Sequence, residues 1–434
     1  MIRGSCMQSH SVFSDWLERQ ANGVSMPHCP TATTRRSPAA PARDGAISGA
    51  PKSVRAAVVP ACSRNVRRRI GVDIAMSSGA ERSKRGRIVA PGPVVSTVRG
   101  CRTAEDVPMA KVVLTDYVWE SLDVEHQTLD GLATLVALKT KTPAEFLPEA
   151  EDCDALLNTY AGPITADAMK RMAKCRIIAR YGIGVDTIDL DAATAAGIIV
   201  TNNPTYCIEE VAEHTMALLL ACARKVALYE RLVRAGRWEV PPGKPMFRLV
   251  GRTLGLVGFG NIARAVAARA AAFGMRVLYC DPFVQPGQFP TPGEKRELGP
   301  LFGESDFVSV HPPLSPQTRG MMNDDAFAQM KPTAFLINCA RGPIVDTAAL
   351  VRALDARRIA GCALDTTDPE PLPDPHPLRG RDNVIITPHA AWYSEQAMVG
   401  LQAGAPSEVR RVLTGQWPVN VVNRAVKGKN RAGL

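Results

Sequence analysis

Within the 434 residues of this chain, the stretch 253–281 restricts the possible folds more than any other. Thr253-Leu254-Gly255-Leu256-Val257 is an apolar run of strand length, and Gly258-Phe259-Gly260-Asn261-Ile262-Ala263 follows it at once. Residues 263–273 are alanine-rich and strongly helical. Gly274 is placed to stop that helix, and residues 275–280 read as a second strand closed by Asp281. Each small residue has a task. Gly258 permits a tight turn, Gly260 lets backbone N–H groups approach a pyrophosphate, and Ala263 allows close helix–strand packing. The helix start then offers unsatisfied donors and a positive dipole end to an anion. A glycine turn alone is a weak signal. Here a strand precedes it, a helix follows, and an acid stands 21 positions beyond Gly260, which together make a dinucleotide fingerprint. Asp281 is expected to bind the adenosine ribose hydroxyls, and its charge repels a 2′-phosphate. Pro282 and Phe283 follow with no arginine to receive one, so NAD is favoured over NADP.

The surroundings continue the pattern. From Met109 onward, short apolar runs such as Lys111-Val112-Val113-Leu114, Leu132-Ala133-Thr134-Leu135-Val136 and Arg176-Ile177-Ile178-Ala179 alternate with helical stretches. The expected class is α/β, with two Rossmann-like doubly wound parallel-sheet domains and a cleft between them. Residues 208–392 are read as the NAD-binding domain, and 109–207 with 393–425 as the substrate domain. A helix over residues 209–234, with its apolar run Ala217-Leu218-Leu219-Leu220-Ala221, is expected to pack between domains or subunits. Residues from Ser394 to about Leu413 read as helix, and Val421-Val422 closes the compact chain.

Residues 1–108 differ. They hold 17 basic and 7 acidic side chains, and so carry the whole net charge of +10; the rest of the chain holds 35 of each. Rich in Arg, Ser, Pro and Ala and without sustained hydrophobic period, this segment reads as disordered, as a translated upstream stretch before a start at Met109, or as a transit peptide. The folded part therefore has no basic excess to attract nucleic acid. Eleven scattered cysteines, without a CxxC pair or a Cys/His cluster, suggest a reducing cytoplasmic setting and no metal site. No apolar stretch is long enough to span a membrane.

In an open parallel sheet, ligands bind beyond the carboxyl ends of the strands. Reading just past each expected strand of the second domain gives Asp281, His311, Arg341, Asp365 and, after Pro388, His389. Five such residues on one edge suggest a site. His10 and His28 lie in the extension, His126 and His376 in expected loops, and His214 inside a helix, where packing is the simpler reading. His311 precedes Pro312-Pro313 and is expected mainly to shape a loop. His389 is the better general acid/base, with Glu370 able to hold its imidazole in one tautomer, although a loop carboxylate is by itself ordinarily just solvated. Arg341, after an apolar strand, is either a structural ion pair or a clamp for a carboxylate ligand, and the clamp accounts better for its position.

Four segments now resemble successive signatures of the D-2-hydroxyacid dehydrogenase family: Arg180-Tyr181-Gly182-Ile183-Gly184-Val185-Asp186, the Gly258 turn, Asn338-Cys339-Ala340-Arg341-Gly342-Pro343-Ile344-Val345-Asp346, and Pro388-His389-Ala390-Ala391-Trp392. The run from Thr387 to Gln396 is most similar to the C-terminal binding protein (CtBP) branch. The resemblance spans about 109–421. It implies Arg341 as substrate-binding arginine, Glu370 as the acid paired with the histidine, and His389 as catalytic acid/base. It implies substrate carboxylate near the backbone of Ile183 and Gly184. Cofactor contacts are implied at Val257, Gly258, Phe259, Gly260, Asn261, Ile262, Asp281, Pro312, Thr318, Cys339, Ala340, Asp365 and Trp392, and a homodimer is expected. Ala263 stands where a third glycine is common, and Cys339 where Thr or Ser often stands. A chain ending here lacks the regulatory extension of many phosphoglycerate dehydrogenases, which lowers that assignment. The rival from another class is an NAD(H)-sensing, CtBP-like binding protein. A Rossmann methyltransferase would explain the glycine turn but not Arg341 with His389. Trp392 is expected either to wall the substrate pocket or to anchor a domain interface.

Overall fold

The computed structural model describes residues 109–434, so the readings of the N-terminal extension lie outside the described residues. The first sheet comprises β1 (Ala110–Leu114), β2 (Ala133–Ala137), β3 (Ala155–Asn158), β4 (Ile177–Arg180) and β5 (Ile199–Thr201). Its helices are α1 (Asp123–Leu129), α2 (Pro143–Ala150), α3 (Ala166–Arg171) and α4 (Leu190–Ala195). All strands run parallel in the order β2-β1-β3-β4-β5. Every residue of β3, β4 and β5 is buried, as expected of a parallel sheet covered on both faces.

Two helices then lead into the second sheet, α5 (Ile208–Arg224) and α6 (Val226–Arg234). A single helix over 209–234 is therefore not what forms. Lys225 adopts a left-handed conformation (φ +56°) and its N–H caps the carbonyls of Ala221 and Cys222. Its ammonium lies 4.4 Å from the centre of the Phe335 ring, a contact that helps hold the break.

The second sheet comprises β6 (Thr253–Val257), β7 (Arg276–Cys280), the two-residue β8 (Glu294–Lys295), β9 (Phe307–Val310), β10 (Phe335–Asn338), β11 (Gly361–Leu364) and β12 (Val384–Ile386). Helices α7 (Asn261–Ala272), α8 (Leu298–Glu304), α9 (Asp324–Gln329) and α10 (Thr347–Asp355) lie between them. The strands are parallel in the order β12-β11-β10-β9-β6-β7-β8. Chain direction across the sheet reverses between β6 and β9, the crevice where doubly wound sheets bind ligands. Leu254 and Leu256 face a core of α5 and α7 side chains that includes Met216, Leu219, Val266 and Ala270. Val257, Val308 and Leu336 face the opposite core, with Phe302, Phe327 and Leu350. The two-fold alternation along each strand thus feeds two hydrophobic layers.

Helix α11 (Glu395–Leu413), capped by the Ser394 hydroxyl on the Ala397 N–H, returns to the first sheet. Its Leu401, Ala405, Val409 and Val412 pack with Val112, Leu114, Leu157 and Ala179. Val421 bridges to Thr201 in an antiparallel pair, and packing continues beyond 425. There the Arg431 N–H meets the Gly197 carbonyl at 2.8 Å, and Leu434 joins the same core.

Candidate active site

The carboxyl ends of both sheets open into one cleft of about 840 Å³. The first sheet contributes Tyr160 after β3 and residues 182–188 after β4. The second contributes residues 260–263, 311–316 and 339–341, together with Asp365, Glu370, His389 and Trp392.

His389 holds a left-handed backbone (φ +54°), costly for a residue with a Cβ and found where surrounding structure enforces it. Its N–H is received by the carbonyls of Asp365 (2.8 Å) and Thr387 (3.0 Å). Its imidazole Nδ1 lies 3.0 Å from Glu370 Oε2, which leaves Nε2 as the ring nitrogen without a partner among the described residues. Asp365 organises this turn. Its Oδ1 accepts from Thr387 Oγ1 (2.5 Å) and the Ala390 N–H (3.0 Å), and its Oδ2 from the Ala391 N–H (2.9 Å). Burial pushes the Asp365 carboxyl up, but hydrogen bonds from His214, Thr387 and the two amides outweigh it and bring it down to about 2.

Arg341 reaches across the cleft. Its Nε lies 3.0 Å from Asp186 Oδ1 on the first sheet's loop, and its Nη1 donates to the Ala340 carbonyl at 2.8 Å. Burial raises the Asp186 carboxyl, yet the Arg341 charge and hydrogen bond win and leave it below its ordinary value. A Cβ at Gly184 would lie 1.8 Å from Arg341 Nη2 and 2.7 Å from Asp186 Oδ1, so a side chain there would displace the guanidinium end of Arg341. The Ile183 and Gly184 carbonyls are taken by Asn202 Nδ2 and Arg180 Nε. Their N–H groups find no partner among the described residues, so this loop offers two free donors beside a guanidinium.

The glycine turn fits a dinucleotide. Gly258 has φ +86°, and a Cβ there would press on the Pro312 nitrogen at 3.1 Å, which joins the ends of β6 and β9 tightly. No side chain caps α7, and the N–H groups of Asn261 and Ile262 are unpaired among the described residues, an arrangement that suits a pyrophosphate. Asp281 Oδ2 accepts the Phe259 N–H and Oδ1 the Phe283 N–H, both at 2.8 Å, and each oxygen keeps a further lone pair.

Other expected residues have different surroundings. Val257 is buried at the strand end, and the Phe259 ring is stacked on Tyr279 in the core at 3.9 Å, leaving only backbone to face a ligand. Thr318 does not line the cleft. Its hydroxyl staples the 312–318 loop, donating to the Pro313 carbonyl (2.7 Å) and accepting the Ser315 N–H (2.8 Å). Pro312, Cys339 and Ala340 do line it, and burial pushes the Cys339 thiol up to about 12, so it stays protonated. Trp392 lines the cleft and also packs on the first sheet's core. His311 Nε2 lies 2.9 Å from Ser309 Oγ, and burial brings its imidazole down to about 4. Among the described residues no group of three or more His, Cys, Asp or Glu could hold a metal ion, and no helix is long and apolar enough to cross a membrane.

Three cleft residues escape a reading confined to the second sheet: Tyr160, Arg180 and Asp186. The strand-end rule carried over to β4 points to Arg180, whereas Tyr160 stands two residues beyond β3. Tyr160 stands edge-on to His389 with ring centres 6.5 Å apart. Arg180 is buried with Nη1 on Asn158 Oδ1 at 2.9 Å. Arg264, one turn into α7, is also new: its guanidinium lies 3.8 Å from the Phe289 ring centre and within electrostatic reach of Asp281.

Residues 216–391 match the family model for the D-isomer specific 2-hydroxyacid dehydrogenase NAD-binding domain. A glyoxylate reductase of Korarchaeum cryptofilum is 41% identical over 285 residues, 64% of this chain and 86% of that protein. A D-3-phosphoglycerate dehydrogenase of Methanocaldococcus jannaschii is 35% identical over 317 residues, 73% of this chain but 60% of its own length. Among solved structures, the TT0316 protein of Thermus thermophilus superposes with a TM-score of 0.65 at 38% identity, over 72% of this chain and 99% of that one. The fingerprint that the sequence places after β6 thus lies inside a domain of known kind, and the chain belongs to the D-isomer specific 2-hydroxyacid dehydrogenase family, NAD-dependent oxidoreductases acting on CH–OH groups.

Proposed function

We propose that this protein interconverts a small 2-oxo acid and the corresponding D-2-hydroxy acid, with His389 as acid/base. The observation that carries the reading is one cleft holding both the His389–Glu370 pair and the Arg341 guanidinium beside the free amides of Ile183 and Gly184. Val257, Gly258, Phe259, Gly260, Asn261, Ile262, Asp281, Pro312, Thr318, Cys339, Ala340, Asp365 and Trp392 form the cofactor side, Phe259 through its backbone and Thr318 by bracing its loop. NAD, when bound, supplies or takes up the hydride at C2. Arg341 and the Ile183 and Gly184 N–H groups grip the acid through its carboxylate. His389 Nε2 passes a proton to the C2 oxygen during reduction and takes it back during oxidation, while Glu370 fixes the ring and stabilises its charged form. Arg341 adds positive charge where the oxygen becomes anionic.

In this reading residues 208–392 are the NAD-binding domain, and 109–207 with the C-terminal segment bind substrate, in a cytoplasmic enzyme. Two copies pair through residues 226–250, where Val226, Val233, Val240, Phe247 and Val250 are exposed and Trp238 is 90% exposed. Trp238→Glu should give monomers in sedimentation. Relatives named as glyoxylate reductases and phosphoglycerate dehydrogenases favour an enzyme over an NAD(H) sensor of the CtBP kind. Steady-state NADH oxidation against a panel of 2-oxo acids decides. Turnover with at least one acid is expected; none with any acid, together with NADH-dependent binding of a protein partner, would favour the sensor.

A further inference from the structure

Helix α5 directs the side chain of His214, which has no task in the dehydrogenase reading, toward the segment just before His389. His214 Nε2 lies 3.0 Å from Thr387 Oγ1 and 3.4 Å from Asp365 Oδ1. Thr387 gives its only hydroxyl proton to Asp365, so toward His214 it can act only as acceptor. That makes Nε2 the protonated nitrogen of His214, and the direction of the chain runs His214 to Thr387 to Asp365. From Asp365 the connection divides: its carboxylate receives the N–H groups of Ala390 and Ala391, and its carbonyl receives the N–H of His389. One aspartate, only 1% exposed, therefore holds three successive backbone amides of the turn that aims the acid/base imidazole.

This turn needs holding. A histidine at φ +54° sits where the local backbone preference opposes it, and relaxation would carry the ring away from Glu370. The sequence reading of His214 as a packing residue does not account for a donor aimed at this one carboxylate. We propose that His214 is a positioning residue: through Thr387 and Asp365 it ties α5 to the 389–391 turn and holds His389 against Glu370. Its effect on turnover rests on the proposed function; its effect on the geometry of His389 does not.

His214→Phe keeps bulk and removes the donor, whereas His214→Gln keeps an N–H donor of similar reach. Two readouts apply to the full chain: kcat and KM for NADH-dependent reduction of glyoxylate, and the NMR signals of the His389 imidazole in histidine-labelled protein. His214→Phe should lower kcat by about tenfold or more with KM for glyoxylate changed less than about threefold, because misplacement of the acid/base touches the chemical step more than binding. It should also shift or broaden the His389 signals, and His214→Gln should recover most of both. A His214→Phe protein with kcat within twofold of wild type and unmoved His389 signals overturns the proposal. So do equal losses in the two variants, which would make His214 a matter of volume alone. Should the wild type reduce no 2-oxo acid, the dehydrogenase reading falls and the NMR comparison decides by itself: signals unmoved in His214→Phe overturn the tie, and signals moved there but restored in His214→Gln uphold it.

Discussion

The loops leaving the carboxyl ends of the two sheets meet in one cleft but are built from different material. Those of the second sheet present fixed charges and a glycine turn: Arg341, Asp365, Glu370 and His389 stand at or just beyond strand ends, each tied by named hydrogen bonds. Those of the first sheet present mainly backbone, the free amides of Ile183 and Gly184, with Tyr160 and Arg180 behind them. Among the described residues, the only ion pair between the two sets of loops across this cleft is Arg341 with Asp186 at 3.0 Å. The contrast suggests a division of labour, in which proton transfer and cofactor need charges at set positions while a small acid needs a donor-lined rim. Residues of the second sheet should then dominate the chemical step, and those of the first should tune binding.

The largest effect tests the second sheet. His389→Ala should reduce kcat by about 10³-fold or more while NADH affinity, read by fluorescence titration, changes little. Near-normal turnover in that variant removes the acid/base from this side of the cleft. Next comes His311. Its imidazole titrates near 6.5 when unfolded and at about 4 in the folded protein, so between those values the unfolded chain binds more protons. Stability of the free protein should be full above about pH 6.5 and fall toward pH 4, by on the order of 3 kcal/mol from this group. His311→Gln should flatten that limb in denaturant titrations run at several pH values. A smaller effect is expected at the cofactor edge. Asp281→Ser removes the carboxylate while Arg264 remains nearby, and should lower the preference for NADH over NADPH by about 10-fold to 100-fold in kcat/KM. An unchanged preference would mean that Asp281 does not read the ribose. The smallest effect belongs to the first sheet. Asp186→Asn removes the negative charge that pairs with Arg341 while leaving an oxygen to accept its hydrogen bond, and should raise KM for the 2-oxo acid by about fivefold, with kcat little altered. A loss in kcat as large as that of His389→Ala would erase the contrast between the loops.

Legibility from the chain follows the same division. The second sheet was readable because its signals are local: an apolar run, a glycine turn and an acid at fixed spacing, then one polar residue past each strand. The two-residue β8 left too short a pattern to read. The break at Lys225 was hidden because a left-handed lysine has no sequence signature, and the ring that helps hold it, Phe335, lies far along the chain. Arg341 with Asp186, and His214 with Asp365, are separated by more than 150 residues, and only the folded arrangement brings them together. Gly184 shows the limit plainly. Its position in the Arg180–Asp186 motif is visible, but the guanidinium from the other sheet that packs against it is not.

Transfer of deuterium from stereospecifically labelled NADH to a 2-oxo acid tests the central claim most directly. Product from the wild-type protein should carry the label at C2 as the D-2-hydroxy acid, and the His389→Ala protein should form almost none of it. Label absent from C2, an L-configured product, or equal labelling by both proteins would contradict a D-specific reduction assisted by His389.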